Sequence, residues 1–264
     1  MIMIDKLAYS SKLRYKSPCL KSFVAVSTLF ICVIARLPLI SLLILLCMGS
    51  LTVFIGKTSL KYYLKLMIIP LGFLILSTIA IIVNISDEPL SSISIALLGK
   101  YISITTASFY YGCNLILVSL AAVSCLYFLS LSTPVIDLLY VLKTIHCPEL
   151  IIELLLLIYR FIFVLLDISN SIYTSQKCRL GNRNFKTSLK SASSLCAVMF
   201  IRALKKSSML YDSMESRCYD GRINVLKRYV KAERKEIILS IIFEVALIII
   251  AIICWRSDRK STRL

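Results

Sequence analysis

The chain has 264 residues, of which 58% are hydrophobic and 17% charged, with a mean hydropathy of +0.85 and a formal net charge of +17. A soluble domain sits nearer roughly 45–50% apolar and about 25% charged, so these proportions exclude an ordinary water-soluble enzyme and place the chain in lipid. The bases are interleaved with apolar runs, as in the cytoplasmic loops of a membrane protein, so no nucleic-acid partner is expected.

A helix needs about 20 mostly apolar residues to cross a bilayer, and five regions meet or approach that requirement. Residues 22–35 and 37–56 are divided by Arg36 and Pro38, which predicts a hairpin of helices with a short first arm. Residues 66–83 form a clean run, with Pro70 and Gly72 near one end. Residues 101–136 carry only Asn114 as a strongly polar interruption and exceed one perpendicular crossing, which predicts a tilted or broken helix. Residues 237–255 make the last span, with Glu244 in mid-run. A lone intramembrane acid is functional by default, but this one could equally pair with Arg36 or Arg160.

Lys6, Lys12, Arg14, Lys16 and Lys21 spread over the approach to the first run, with no cleavage pattern after it. This is no secretory signal, and it predicts a cytoplasmic N-terminus. Lys57, Lys61 and Lys65 mark a second cytoplasmic turn, and Asp87 and Glu88 fall in the opposite loop. Residues 131–236 hold 17 Lys plus Arg against 9 Asp plus Glu, too many charges for lipid. Three parts follow: N-terminal membrane helices over 1–130, a cytoplasmic domain over 131–236, and a C-terminal membrane helix and tail over 237–264. One observation resists, since a single last span puts Arg256, Arg259, Lys260 and Arg263 outside.

Within 131–236, Pro148 and Glu149 suit the start of a helix. The row Leu150, Leu154, Leu157, Phe161, Leu165, Ile168, Ile172 and Ser175 continues to Arg179, with Gly181 as a stop. A second row, Ala192, Leu195, Met199, Ala203, Ser207, Leu210 and Met214, continues to Arg217, before Tyr219-Asp220-Gly221. Two successive long helices therefore each end an apolar stripe on an arginine. Dipole complementation and carbonyl capping explain either one alone, but they do not require the arrangement twice.

The stretch LSLSTPVIDLLYVLKTIHCPELIIELLLLIYRFIFVLLDI, then SQKCRLG, then FIRALKKSSMLYDSMESRCYDGR, resembles the transmembrane T component of energy-coupling factor transporters. The opening IDKLAYSSKLRYKSPCLK resembles more particularly the CbiQ family of cobalt importers. The resemblance implies an all-α polytopic membrane protein with about five membrane helices and a cytoplasmic coupling domain of long crossing helices. It implies that each coupling helix ends in an Ala-Arg-Gly type motif that docks on one of two ATP-binding cassette subunits. The matching residues are Cys178, Arg179 and Leu180, then Ser216, Arg217 and Cys218. Leu180 stands where the motif has glycine, with Gly181 one residue later, and small Ser216 and Cys218 keep the expected shape of the second end.

The resemblance further implies a multi-pass protein of the bacterial plasma membrane, serving a separate membrane-embedded subunit that binds cobalt or nickel. The family alternative is a shared T component serving vitamin-specific subunits. No catalytic residue and no cofactor are expected, because Glu244 has no companion base and no G-x-x-x-x-G-K-[ST] run is present. Ten cysteines without a C-x-x-C pair and a single His146 predict no metal ligands. A membrane scaffold without coupling to nucleotide state is the reading from another class, and stimulated ATPase activity separates the two.

Overall fold

The computed structural model describes residues 3–86, 94–97, 100–104, 106–221 and 233–261. They divide into two compact units, one made of the described residues up to 138 together with 233–261, the other of residues 139–221.

In the first unit a short helix α1 (Met3–Ser10) and a 3-10 turn (Lys12–Tyr15) lead into α2 (Pro18–Ala35). Helix α3 (Pro38–Ser50) follows and continues as a π turn over Leu51–Ile55. Both helices start on proline, whose missing N–H costs nothing at the first helical position. Between them Arg36 takes a left-handed conformation (φ 49°) and Leu37 an extended one, which closes the predicted hairpin in two residues, but the first arm is not short, since α2 starts at Pro18 and both arms run 18 residues. The amide of Asn114 donates to the Arg36 carbonyl at 2.8 Å, so the polar interruption of the fourth apolar region serves to hold that turn.

Next come α4 (Leu60–Ile82), three strands β1 (Val83–Ser86), β2 (Ser94–Leu97) and β3 (Lys100–Ile104), and then α5 (Thr106–Ser132). The strands form an antiparallel sheet in the order β1-β3-β2, with Val83 opposite Ile104 and Ser94 opposite Ser103. This sheet corrects the sequence reading, which ran the fourth span from residue 101. The β-branched alternation of Ile102-Ser103-Ile104 has a period of two and suits a strand. Asp87 and Glu88, read as the acidic loop, lie outside the described residues. The predicted break is present at the far end, where α5 stops at Ser132 and α6 (Val135–Thr144) restarts beyond Pro134.

The last helix of this unit is α9 (Arg234–Ser261); Arg263 of the basic tail lies outside the described residues. Among the described residues, five helical stretches are long and apolar enough to cross a membrane: Pro18–Ala35, Pro38–Ile55, Leu60–Ile82, Ser108–Ser132 and Arg234–Cys254. The sequence-predicted helical class and span number therefore hold, with the small sheet added.

Helix α5 is the centre of the membrane unit and packs on α2, α3 and α4, while α9 packs on α2. Its inner face is built from small residues, Ala121, Ser124 and Cys125, all fully buried. Small side chains let helix backbones approach closely where lipid offers no hydrophobic drive to associate. At Gly112 a Cβ would stand 2.8 Å from Thr78 Cγ2 and 2.9 Å from Ile82 Cγ1, so α4 and α5 meet there only because the residue is glycine. Around this seam Ile40, Ile44, Met48, Phe128 and Leu247 complete the core.

Polar groups in the unit are mostly spent internally. Tyr63 and Ser124 hydroxyls lie 2.8 Å apart, and Tyr127 donates to the Leu66 carbonyl. Glu244 is buried, and its Oε1 lies 2.6 Å from the Ser27 hydroxyl, which ties α9 to α2. A serine, and neither Arg36 nor Arg160, meets this oxygen; among the described residues Glu244 Oε2 has no hydrogen-bond partner.

The second unit contains α7 (Glu149–Cys178) and α8 (Phe185–Glu215), with 30 and 31 residues. At 1.5 Å per residue each is about 45 Å long.

Candidate functional site

The two long helices carry their apolar residues largely as their spacing predicts. On α7, Leu157, Phe161, Leu165, Ile168 and Ile172 are half-buried, and Tyr159 meets Phe163 edge to face at 5.1 Å. The start of that row departs from the expectation: Leu150 and Leu154 are exposed, and Ile152 is the buried residue. On α8, Leu195, Met199, Ala203, Leu210 and Met214 are half-buried, whereas Ala192 and Ser207 are exposed.

A tight turn joins the helices. Asn184 precedes α8 and donates its backbone N–H to Thr187 Oγ1 at 2.9 Å, half of a capping box. Gln176 reaches across to the Ser191 carbonyl, and the Ser191 hydroxyl donates to the Gly181 carbonyl. A Cβ at Gly181 would stand 2.7 Å from Ser191 Oγ and 2.9 Å from the Gln176 carbonyl oxygen. Close approach explains this glycine. At the other end of the pair the Tyr219 hydroxyl donates to Glu153 Oε2 at 2.9 Å. That bond resists ionisation of the phenol, so the Glu153 carboxylate pushes the Tyr219 pKa up.

The α8 end thus lies beside the first turns of α7, and the helices are antiparallel. Arg179 and Arg217 consequently stand at opposite ends of the pair. Glu153 and Arg179 are separated along α7 by about 40 Å at 1.5 Å per residue.

Both helix ends close in the same way. After α7, the Gly181 N–H donates to the Gln176 carbonyl at 2.9 Å and the Leu180 N–H to the Lys177 carbonyl at 3.1 Å. After α8, the Tyr219 N–H donates to the Met214 carbonyl at 3.1 Å and the Cys218 N–H to the Glu215 carbonyl at 2.9 Å. This nested pair is the Schellman closure, whose left-handed residue is usually glycine. Here that residue is Leu180 (φ 56°) in one end and Cys218 (φ 57°) in the other. Each arginine is the last residue before the left-handed one. The two triplets, Cys178 to Leu180 and Ser216 to Cys218, are therefore one local structure used twice.

The structure corrects one detail of the sequence reading. Gly181 does not supply the left-handed conformation that the missing motif glycine would supply; Leu180 adopts it instead. Cys218, although small, adopts the same conformation. A β-carbon in this region costs about 1–2 kcal/mol, so both ends carry strain that glycine would relieve.

Both arginines are exposed, as are Cys178, Leu180, Ser216 and Cys218. Among the described residues neither guanidinium makes an ion pair, and the carbonyls at each helix end are met by backbone N–H groups. Their five-donor forks are thus left to the surroundings. The apolar surface beside them is also unspent. Leu150, Leu154, Ile158, Ile162 and Leu166 recur every fourth residue on α7 and are exposed, as are Phe185, Leu189, Phe200 and Leu204 on α8.

No group of three or more His, Cys, Asp or Glu side chains is arranged to hold a metal among the described residues. His146 is exposed and takes the left-handed position (φ 63°) after α6, where its N–H donates to the Lys143 carbonyl.

Five helices long and apolar enough to cross a membrane, together with a unit of tandem helices, describe a polytopic all-α membrane protein. Residues 9–228 match the cobalt transport protein family CbiQ. The chain is 34% identical over 249 residues to the uncharacterised protein MJ1089 of Methanocaldococcus jannaschii, covering 94% of this chain and 92% of that protein. It is 30% identical over 222 residues to the cobalt transport protein CbiQ of Salmonella typhimurium, covering 84% of this chain and 98% of that one. A Methanocorpusculum labreanum protein, provisionally named as a fused cobalt transport protein CbiMQ, is 35% identical over 220 residues, and the match spans 37% of its length. The chain belongs to the CbiQ family of cobalt transport membrane proteins.

Proposed function

We propose that this chain is the transmembrane coupling component of an energy-coupling-factor importer for cobalt or nickel. It transmits movement of two ATP-binding cassette subunits to a separate, membrane-embedded subunit that binds the metal. Residues 131–236 act as the cytoplasmic coupling domain, with the compact unit 139–228 as its working part, and the N-terminus lies on the same side. The cargo follows the names of the relatives, and the fused relative, much longer than the match, suits a second component carried in the same polypeptide.

One observation carries the coupling role: two identically closed helix ends each present an arginine that does not cap its own carbonyls. A guanidinium held at the tip of a rigid helix binds a carboxylate in bidentate fashion. Two such tips about 40 Å apart suit two partner sites better than one. The exposed apolar rows on α7 and α8 supply area for contact with partner chains. When the two ATPases close on ATP, tips seated in both convert that closure into a shift of the helix pair.

The double variant Arg179→Glu with Arg217→Glu tests the role. It should insert and fold, yet fail to hold the ATPases in pull-down and fail to support cobalt uptake. Each single variant should weaken assembly less, because the remaining tip keeps its neighbour at high effective concentration. Normal assembly and uptake by the double variant would reduce both arginines to surface residues and leave the scaffold reading.

A further inference from the structure

A groove of about 510 Å³ lies at one end of the membrane unit, between α2, α3 with its π turn, α5 and α9. Leu20, Val24, Leu51, Phe128, Leu239 and Phe243 form its walls. Lys16, Glu236 and Lys21 are its charged members, and Lys16 pairs with Glu236 at 3.1 Å.

Lys21 is the unusual one. It is only 4% exposed, although the sequence presents it as one more base flanking the first span. Its ammonium donates to the Leu13 carbonyl and to the Ser132 carbonyl, each at 3.0 Å. Two of its three N–H donors are thereby used, both by neutral groups. Among the described residues no carboxylate lies within ion-pair distance of it. Asp137 acts on it only from further away. A buried cation with neutral partners retains most of its desolvation cost and gains from an anion placed nearby.

Position narrows the chemistry of that anion. Lys21 lies in the first turns of α2, Ser132 is the last residue of α5, Leu51 follows α3 and Glu236 opens α9. All four mark the same end of the spanning helices, the depth at which headgroup phosphates lie. An apolar trough running from a buried ammonium at headgroup depth fits an amphiphile that is anionic at one end and hydrocarbon at the other. We propose that Lys21 and this groove bind one anionic phospholipid, its phosphate at the lysine ammonium and an acyl chain along the trough. The site stands on the membrane unit alone and does not depend on the coupling role of the arginines.

The test is native mass spectrometry of the purified full-length protein titrated with phosphatidylglycerol, phosphatidylcholine or inorganic phosphate. The wild type should retain one phosphatidylglycerol in preference to phosphatidylcholine, and inorganic phosphate should not displace it. Lys21→Arg should keep the adduct. Lys21→Met should weaken it roughly tenfold or more, the scale of a lost charge-assisted hydrogen bond. Since Lys21→Met also removes a partner from two carbonyls, Leu239→Trp provides a second variant. Leu239 is 71% exposed and lines the trough, so an indole there occupies it while removing no hydrogen-bond partner of Lys21; this variant too should lose the adduct. Retention of phosphatidylglycerol by a folded Lys21→Met or by Leu239→Trp overturns the site. Equal retention of phosphatidylcholine, or displacement by phosphate alone, overturns it as well.

Discussion

The membrane unit and the tandem-helix unit use the same residue types in opposite ways. In the first, Lys21, Asn114, Tyr63, Ser124 and Glu244 are turned inward and tied to carbonyls or hydroxyls. In the second, α8 has no buried residue, large apolar side chains face outward, and the two terminal arginines engage nothing among the described residues. Lipid cannot satisfy polar groups, so a membrane unit must satisfy them itself. The second unit leaves large apolar side chains and both terminal arginines exposed, which is the surface that the proposed docking on partner chains uses.

The largest expected effect breaks the inward side of this contrast. Glu244→Lys places a cation where the Ser27 hydroxyl donates to the carboxylate, and should abolish stable insertion as judged by the yield of detergent-soluble protein. Glu244→Gln keeps an amide donor for the Ser27 oxygen and should express as the wild type does. If Glu244→Lys inserts as the wild type does, the α2–α9 tie contributes nothing.

A smaller effect is expected at the turn of the second unit. Gly181→Val drives a branched side chain into Ser191 Oγ and the Gln176 carbonyl. It should lower stability by about 1–3 kcal/mol, the usual cost of overpacking. Thermal unfolding should register this without loss of insertion. Leu180→Gly acts in the opposite direction: it removes the left-handed penalty and should stabilise the α7 end by about 1 kcal/mol. Greater protection of the Leu180 and Gly181 amides from hydrogen exchange would show it.

The smallest effect concerns Tyr219. Its pKa is raised by the bond to Glu153, so the contribution is fully present below the ordinary tyrosine range near pH 10 and is lost as pH rises through the higher folded value. Amide exchange over residues 216–221 should be faster in Tyr219→Phe than in wild type at pH 8, and the two should converge in strong alkali.

How much of this was legible beforehand differs between the two units. The apolar runs located five spans because bilayer thickness fixes their length, and Arg36 with Pro38 marked the hairpin. The β1-β3-β2 sheet was missed since residues 101–104 are as apolar as the helix after them, and only their alternation of period two distinguishes them. Lys21 was read by its charge as a flanking base, and nothing local shows that two carbonyls distant in sequence would enclose it. Glu244 stood out as a lone acid in a span, with a functional role or an arginine partner both open, and the packing of α2 on α9 brings Ser27 to it. In the tandem unit spacing identified the half-buried faces, and the paired arginines stood out by repetition. The left-handed Leu180 did not, because leucine carries no signal for that conformation.

The account rests on both helix ends being buried against ATPase subunits, and the native thiols beside the arginines allow this to be measured. Cys178 and Cys218 are exposed in the chain by itself. Maleimide labelling read by mass spectrometry, with and without the two ATPase subunits, should show both thiols reactive alone and both protected in the complex, while Cys196 on the exposed middle of α8 serves as the internal reference. Labelling of Cys178 and Cys218 at unchanged rates in an assembled complex would contradict docking at these ends.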